Sequence, residues 1–121
     1  MAKKKVLLVD DEQFICDNLK SLIERIDCEV FVSMDSGKAL KIFQDEKPEV
    51  CIIDIHMSES EYDGVELLRR IREIDKDVKC IMLTCVDESE SGVTKDLNVA
   101  AYFEKPLCQD GFKQLLDQIK G

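Results

Sequence analysis

Histidine occurs once in this chain of 121 residues, at His56, and no two of its six cysteines form a CxxC pair. A structural zinc site would have to gather three cysteines from scattered elements. Cys51 and Cys80 sit inside apolar runs and Cys16 lies beside Ile15 on a helical face. They read as small buried residues in a reducing compartment. No uninterrupted apolar segment approaches the roughly 18–20 residues of a membrane span. Behind the N-terminal lysines, Val6-Leu7-Leu8-Val9 is too short for a signal-peptide core, so the expected location is cytoplasmic. Basic residues are the minority: 17 Lys and Arg stand against 26 Asp and Glu, a formal net charge of −9. The only basic run is Lys3-Lys4-Lys5, which argues against DNA or RNA as a direct partner. Biased tracts, internal repeats and long linkers are missing too, and 45% hydrophobic with 36% charged residues is a globular balance. One domain over residues 1–121 is expected.

What is present is an alternation. Residues 5–9 read as a strand buried on both faces and ending in acids. Over residues 12–26 the apolar positions Phe14, Ile15, Leu19, Leu22, Ile23 and Ile26 form a helical stripe. A strand over 29–34 follows, then a helix capped by Ser36, with Ala39, Leu40 and Phe43 inward, ending before Pro48. The third strand covers 50–53, and a polar loop over 58–64 precedes a helix with Val65, Leu67, Leu68, Ile71 and Ile74 inward. A fourth strand covers 78–84. Residues 87–97 read as a helix weakened by Gly92, Val93 and Thr94, with Asn98 as the left-handed residue closing it. Residues 100–104 are the fifth strand and 112–119 the last helix. Five strands alternating with five helices predict an α/β, doubly wound fold with a parallel sheet covered on both sides. Ligands gather at the carboxyl ends of such strands.

Those ends carry Asp10 and Asp11, Asp54, Thr84, and Lys105-Pro106. A single carboxylate after a strand is usually a helix cap. Three carboxylates, a hydroxyl and an ammonium on one edge are a chemical constellation. Carboxylates crowded within a few ångströms drive one pKa upward unless a cation neutralises them. A hard ion such as Mg²⁺ takes oxygen ligands and leaves water positions open for a phosphoryl group. Phosphoryl transfer needs neutralisation and positioning more than covalent help, which Lys105 and Thr84 can supply. A carboxylate in this setting can itself accept the phosphoryl group as a mixed anhydride. Chemistry alone does not choose the acceptor, although Asp54, alone on its strand, is the least needed as a ligand.

The motifs Val6-Leu7-Leu8-Val9-Asp10-Asp11-Glu12, Ile52-Ile53-Asp54-Ile55-His56-Met57, Asp63-Gly64, Met82-Leu83-Thr84 and Tyr102-Phe103-Glu104-Lys105-Pro106-Leu107 appear in this order. In these motifs the chain resembles the receiver domain of two-component response regulators, of the chemotaxis-regulator type, over essentially its whole length. The resemblance implies a flavodoxin-like (βα)5 three-layer sandwich with sheet order 2-1-3-4-5. It implies Asp54 as the phosphoacceptor, served by a sensor histidine kinase or phosphotransfer protein. Mg²⁺ would be held by Asp10, Asp11, Asp54 and the backbone carbonyl of His56. Lys105 would pair with the acceptor and phosphoryl group, Thr84 would be the switch hydroxyl, and Tyr102 the aromatic that follows it. A cis bond before Pro106 is implied as well. The signal would leave through the face of the fourth helix, fifth strand and last helix, toward a partner, an output domain or a second copy. Such a domain catalyses only its own phosphorylation and dephosphorylation.

Three departures from the family pattern stand out. Ser58 replaces the proline that usually follows Met57, and Gly64 comes seven rather than five residues after that Met, so a longer and more mobile loop is expected. Cys85 stands where a very small residue is usual and is expected to narrow access to the acceptor. Val86 cannot orient a hydrolytic water, whereas a neutral imidazole at His56 can; a role-less exposed His56 and an interface role for Tyr102 stay open. Two other function classes compete. Aspartate-nucleophile phosphatases also place acids after a first strand, but two residues apart, whereas Asp10 and Asp11 are adjacent. A scaffold needing no phosphorylation would not require the intact Asp10, Asp11, Asp54, Thr84 and Lys105 set. The pattern begins near Met1 and the last helix closes just before Gly121, so a single-domain regulator or a receiver cut from a longer chain is expected. Ten acids map to the strand-end edge: Asp10, Asp11, Glu12, Asp54, Glu59, Glu61, Asp63, Asp87, Glu88 and Glu90.

Overall fold

Apolar-rich segments become the five strands of a computed structural model, which describes residues 3–57, 60–85 and 95–121. They are β1 (Lys4–Val9), β2 (Cys28–Ser33), β3 (Val50–Asp54), β4 (Lys79–Cys85) and β5 (Ala101–Lys105). All pair in parallel, in the order β2-β1-β3-β4-β5. Helices α1 (Gln13–Glu24), α2 (Ser36–Glu46) and α3 (Gly64–Ile74) and a C-terminal helix (Gln109–Lys120) cover the two faces.

Side-chain alternation along each strand explains the layers. Leu7, Val9, Cys51, Ile53, Cys80 and Met82 point to one face, where they meet Ala39 and Phe43 of α2 and Leu67, Leu68 and Ile71 of α3. Val6, Leu8, Ile52, Ile81 and Leu83 point to the other, against Leu19 and Ile23 of α1 and Leu115 and Ile119 of the C-terminal helix. The fold is therefore the doubly wound three-layer sandwich that the alternation predicts. Cys16, Cys28, Cys51 and Cys80 are buried free thiols, as read from sequence, while Cys108 is exposed. Among the described residues no helix is long and apolar enough to cross a membrane.

Several boundaries move. The cap of α2 is Asp35, not Ser36: the Asp35 carboxylate accepts the Lys38 N–H at 3.0 Å. Ser36 is instead the buried first residue of the helix. The C-terminal helix starts at Gln109, three residues before Phe112, because Cys108 caps it by accepting the Gly111 N–H on Sγ at 3.4 Å. Most of the helix expected over 87–97 lies outside the described residues; its last three, Lys95–Leu97, form a 3-10 turn. Asn98 closes that segment in the left-handed conformation, with φ of 55°.

Candidate functional site

Parallel register brings the ends of β1, β3, β4 and β5 to one edge of the sheet. Asp10 follows β1 and is fully buried. Its N–H donates to the Ser33 carbonyl at 3.2 Å, and its Oδ1 accepts the Glu12 N–H at 2.9 Å. Asp54 closes β3 at 2% exposure, its Oδ1 accepting the His56 N–H at 3.2 Å. Lys105 closes β5 and precedes a cis peptide bond to Pro106. Its Nζ reaches Asp10 Oδ2 at 3.0 Å, Asp54 Oδ2 at 3.2 Å and Glu12 Oε1 at 3.0 Å. Thr84 is buried one residue before Cys85, the register partner of Lys105. Tyr102 sits further back on β5, opposite Met82, and is partly exposed. The His56 side chain is exposed and Met57 is buried.

Electrostatics follow from this packing. Burial, and after it the charge of Asp10, push the Asp54 carboxyl up to about 6, against the pull of Lys105 and the His56 N–H. Burial likewise raises Asp10, opposed by the Glu12 N–H and Lys105. Crowding of the acids therefore contributes, but desolvation is the larger cause. Burial also disfavours the Lys105 ammonium, yet its bonds to Glu12 and Asp10 outweigh that and its pKa rises. The lysine is a fixed positive charge.

Gly64 lets this edge close. Its N–H donates to the Ile55 carbonyl at 2.9 Å, and a Cβ there would fall 1.9 Å from the Asp54 carbonyl oxygen. Only glycine allows the start of α3 to lie against the end of β3. The lengthened loop before it is not unattached. Ser36 N–H donates to Ser60 Oγ at 3.2 Å, Tyr62 N–H donates to Ser36 Oγ at 3.2 Å, and Tyr62 Oη donates to the Ser36 carbonyl at 3.4 Å. Arg70 stacks on the Tyr62 ring at 4.2 Å. Residues 60–62 are thus strapped to the start of α2. Ser58, Glu59, Val86, Asp87, Glu88, Glu90 and the Cys85 side chain lie outside the described residues.

A family model described as the response regulator receiver domain matches residues 6–117. The chain belongs to that family. It is 33% identical over 105 residues to the alkaline phosphatase synthesis transcriptional regulatory protein PhoP of Bacillus subtilis, covering 86% of this chain but 43% of that one. It is 28% identical over 121 residues to sporulation initiation phosphotransferase F of Bacillus subtilis, covering 99% of this chain and 94% of that one. The CheY-like receiver domain protein from Methanospirillum hungatei JF-1 superimposes with a TM-score of 0.87 at 28% identity, covering 98% and 92% of the two chains. This receiver domain thus spans less than half of a PhoP-type regulator and nearly all of a phosphotransferase of the second kind.

Within the receiver, Asp10, Asp11 and Glu12 bring one carboxylate oxygen each within 4.8 Å of one another. The donors are hard oxygens and Asp10 is a buried acid whose charge lacks water, so the pocket fits a hard divalent cation. Asp54 is linked to this group through Lys105, which it shares with Asp10 and Glu12. From sequence Glu12 is one of the strand-end acids of the first motif, with no pairing to Lys105 expected. Its side chain makes no capping bond although the residue is the N-cap of α1, and it is free to turn to Lys105.

Proposed function

We propose that this receiver domain takes a phosphoryl group onto Asp54 from the phosphohistidine of a sensor histidine kinase or phosphotransfer protein. The observation that carries this reading is one ammonium, Lys105, spanning the carboxylates of Asp10 and Asp54 in a pocket where both acids are nearly inaccessible to water. An Asp54 oxygen attacks phosphorus, and the bond from phosphorus to the imidazole nitrogen breaks with its electron pair passing to the ring. An aspartyl phosphate, a mixed anhydride, is left. Lys105 neutralises charge on the transferring oxygens. Asp10, Asp11, Asp54 and the His56 backbone carbonyl would hold Mg²⁺, which supplies further neutralisation there. Thr84, buried on the neighbouring strand, offers its hydroxyl to a phosphoryl oxygen, and Tyr102 follows it.

The domain releases no product. It catalyses only its own phosphorylation and dephosphorylation, and the result is a shifted conformational equilibrium. The shift is read on the side of β5 and the C-terminal helix, by a partner, an output domain or a second copy; most of the expected fourth helix lies outside the described residues. The names of the relatives, a transcriptional regulatory protein and a phosphotransferase, fit a signalling role of either kind. Incubation with acetyl phosphate and Mg²⁺, followed by intact mass and peptide mapping, should give one phosphoryl adduct on Asp54. The adduct should vanish in Asp54→Ala and in EDTA. No adduct and no beryllofluoride binding in the presence of Mg²⁺ would overturn the reading.

A further inference from the structure

Lys105 is saturated. An ammonium has three donors, and among the described residues three carboxylate oxygens take them, from Asp10, Glu12 and Asp54 at 3.0, 3.0 and 3.2 Å. An incoming phosphoryl oxygen that Lys105 is to grip before the bond to Asp54 forms, while Asp54 still carries its charge, must therefore replace one of these acceptors. The three are not equivalent. The side chains of Asp10 and Asp54 are 0% and 3% exposed, so either one, on letting go, would leave a charge in a pocket that water does not reach. The Glu12 side chain is 58% exposed and is rehydrated as soon as it swings away. An ion pair with one end in water is also worth the least of the three.

We propose, resting on the phosphoacceptor reading above, that Glu12 is a gate on Lys105. In the resting receiver its carboxylate occupies the third ammonium hydrogen, and it yields that hydrogen to the incoming phosphoryl oxygen. Glu12 is thus a positioning residue: it acts through Lys105, by holding the ammonium in place over Asp10 and Asp54 and by competing with the phosphoryl group for it, and saturating Mg²⁺ separates this from any share it has in the cation pocket. The geometry of α1 serves this role. The Glu12 backbone N–H is pinned to Asp10 Oδ1 at 2.9 Å, while its carboxylate makes no capping bond to the helix it precedes.

Glu12→Gln removes the charge, and Glu12→Asp keeps it but shortens the reach by one methylene. With saturating Mg²⁺ and acetyl phosphate, both variants should be phosphorylated about two- to five-fold faster than wild type, the factor an exposed ion pair supports. In metal-free protein, ¹⁵N NMR should find the Lys105 ammonium hydrogens exchanging with water faster in both variants by a similar factor. A merely structural role for Glu12 would not move that exchange. Glu12→Asp matching wild type in both measurements would overturn the gate in favour of a general charge effect. Slower phosphorylation of either variant would overturn it in favour of a direct contribution by Glu12. If wild type itself takes no phosphoryl group, the phosphoacceptor reading has failed, and unchanged ammonium exchange would then sink the pairing separately.

Discussion

Replacing Asp54 with asparagine should make the metal-free protein more stable at neutral pH. The Asp54 side chain is 3% exposed, and burial is the first cause of its rise from 3.8 to about 6. The folded state thus binds this proton more tightly than the unfolded chain does. The sign follows: the contribution is fully favourable below pH 3.8 and is lost as pH rises through about 6. Relative to a side chain that never ionises, the ionised carboxylate costs about 3 kcal/mol at pH 7, about half of that at pH 5 and under about 1 kcal/mol at pH 4. Asparagine has the shape of the protonated acid but only one oxygen, which serves either the His56 N–H on the Oδ1 side or Lys105 on the Oδ2 side while its NH2 must be accommodated at the other, so a gain of about 1–3 kcal/mol is expected. Urea unfolding in EDTA at pH 7.5 should show the midpoint moving up by about 1 M, and the gain should fade toward pH 4. Saturating Mg²⁺ should shrink it as well, because a bound cation relieves the wild-type acid. Equal midpoints in EDTA at pH 7.5, or a gain that persists undiminished at pH 4, would refute the reasoning.

Lys105→Met leaves Asp10 and Asp54 buried without their cation, so in EDTA the Asp54 titration followed by ¹³C NMR should move above 6. Its loss of stability, about 3 kcal/mol at pH 7.5, should shrink by pH 5 as the acids protonate. Gly64→Ala puts a Cβ 1.9 Å from the Asp54 carbonyl oxygen. It should cost about 1–3 kcal/mol by urea unfolding and slow acetyl phosphate uptake, because the end of β3 has to move. Buried Arg72 donates to the carbonyls of Leu97, Val78 and Asn98 at 2.7, 2.6 and 2.9 Å, tying α3 to the entry of β5. Arg72→Met should cost about 2–4 kcal/mol and speed amide exchange at Val99 and Ala100, and an unchanged exchange pattern there would contradict the tie.

The elements that carry the site were legible because their signals are local. Val6 to Val9 and Val50 to Ile53 are apolar without interruption, which is how a strand covered on both faces must look. Alternation with helical stripes then requires parallel pairing, and parallel pairing alone brings Asp10, Asp54 and Lys105 to one edge. The cap of α2 was not legible. Asp35 and Ser36 are both good capping residues, and the choice between them goes with Tyr62, 26 residues away, whose N–H donates to the Ser36 hydroxyl oxygen. The longer loop before Gly64 reads as slack by length alone, yet Ser60 and Tyr62 bind it to α2. Glu12 meets Lys105 across 93 residues of sequence, a pairing no periodicity encodes.

By itself, then, the sequence determined the family, the layer architecture and which side chains stand at the strand ends, since these depend on residue type, spacing and alternation. Only the tertiary structure decided how much water each of those side chains keeps. That quantity separates Asp54 from Glu12: two carboxylates on the same ammonium, one pushed up to about 6 by burial and the other left in solvent. Desolvation depends on what packs around a group from every direction, and a linear pattern carries no record of it.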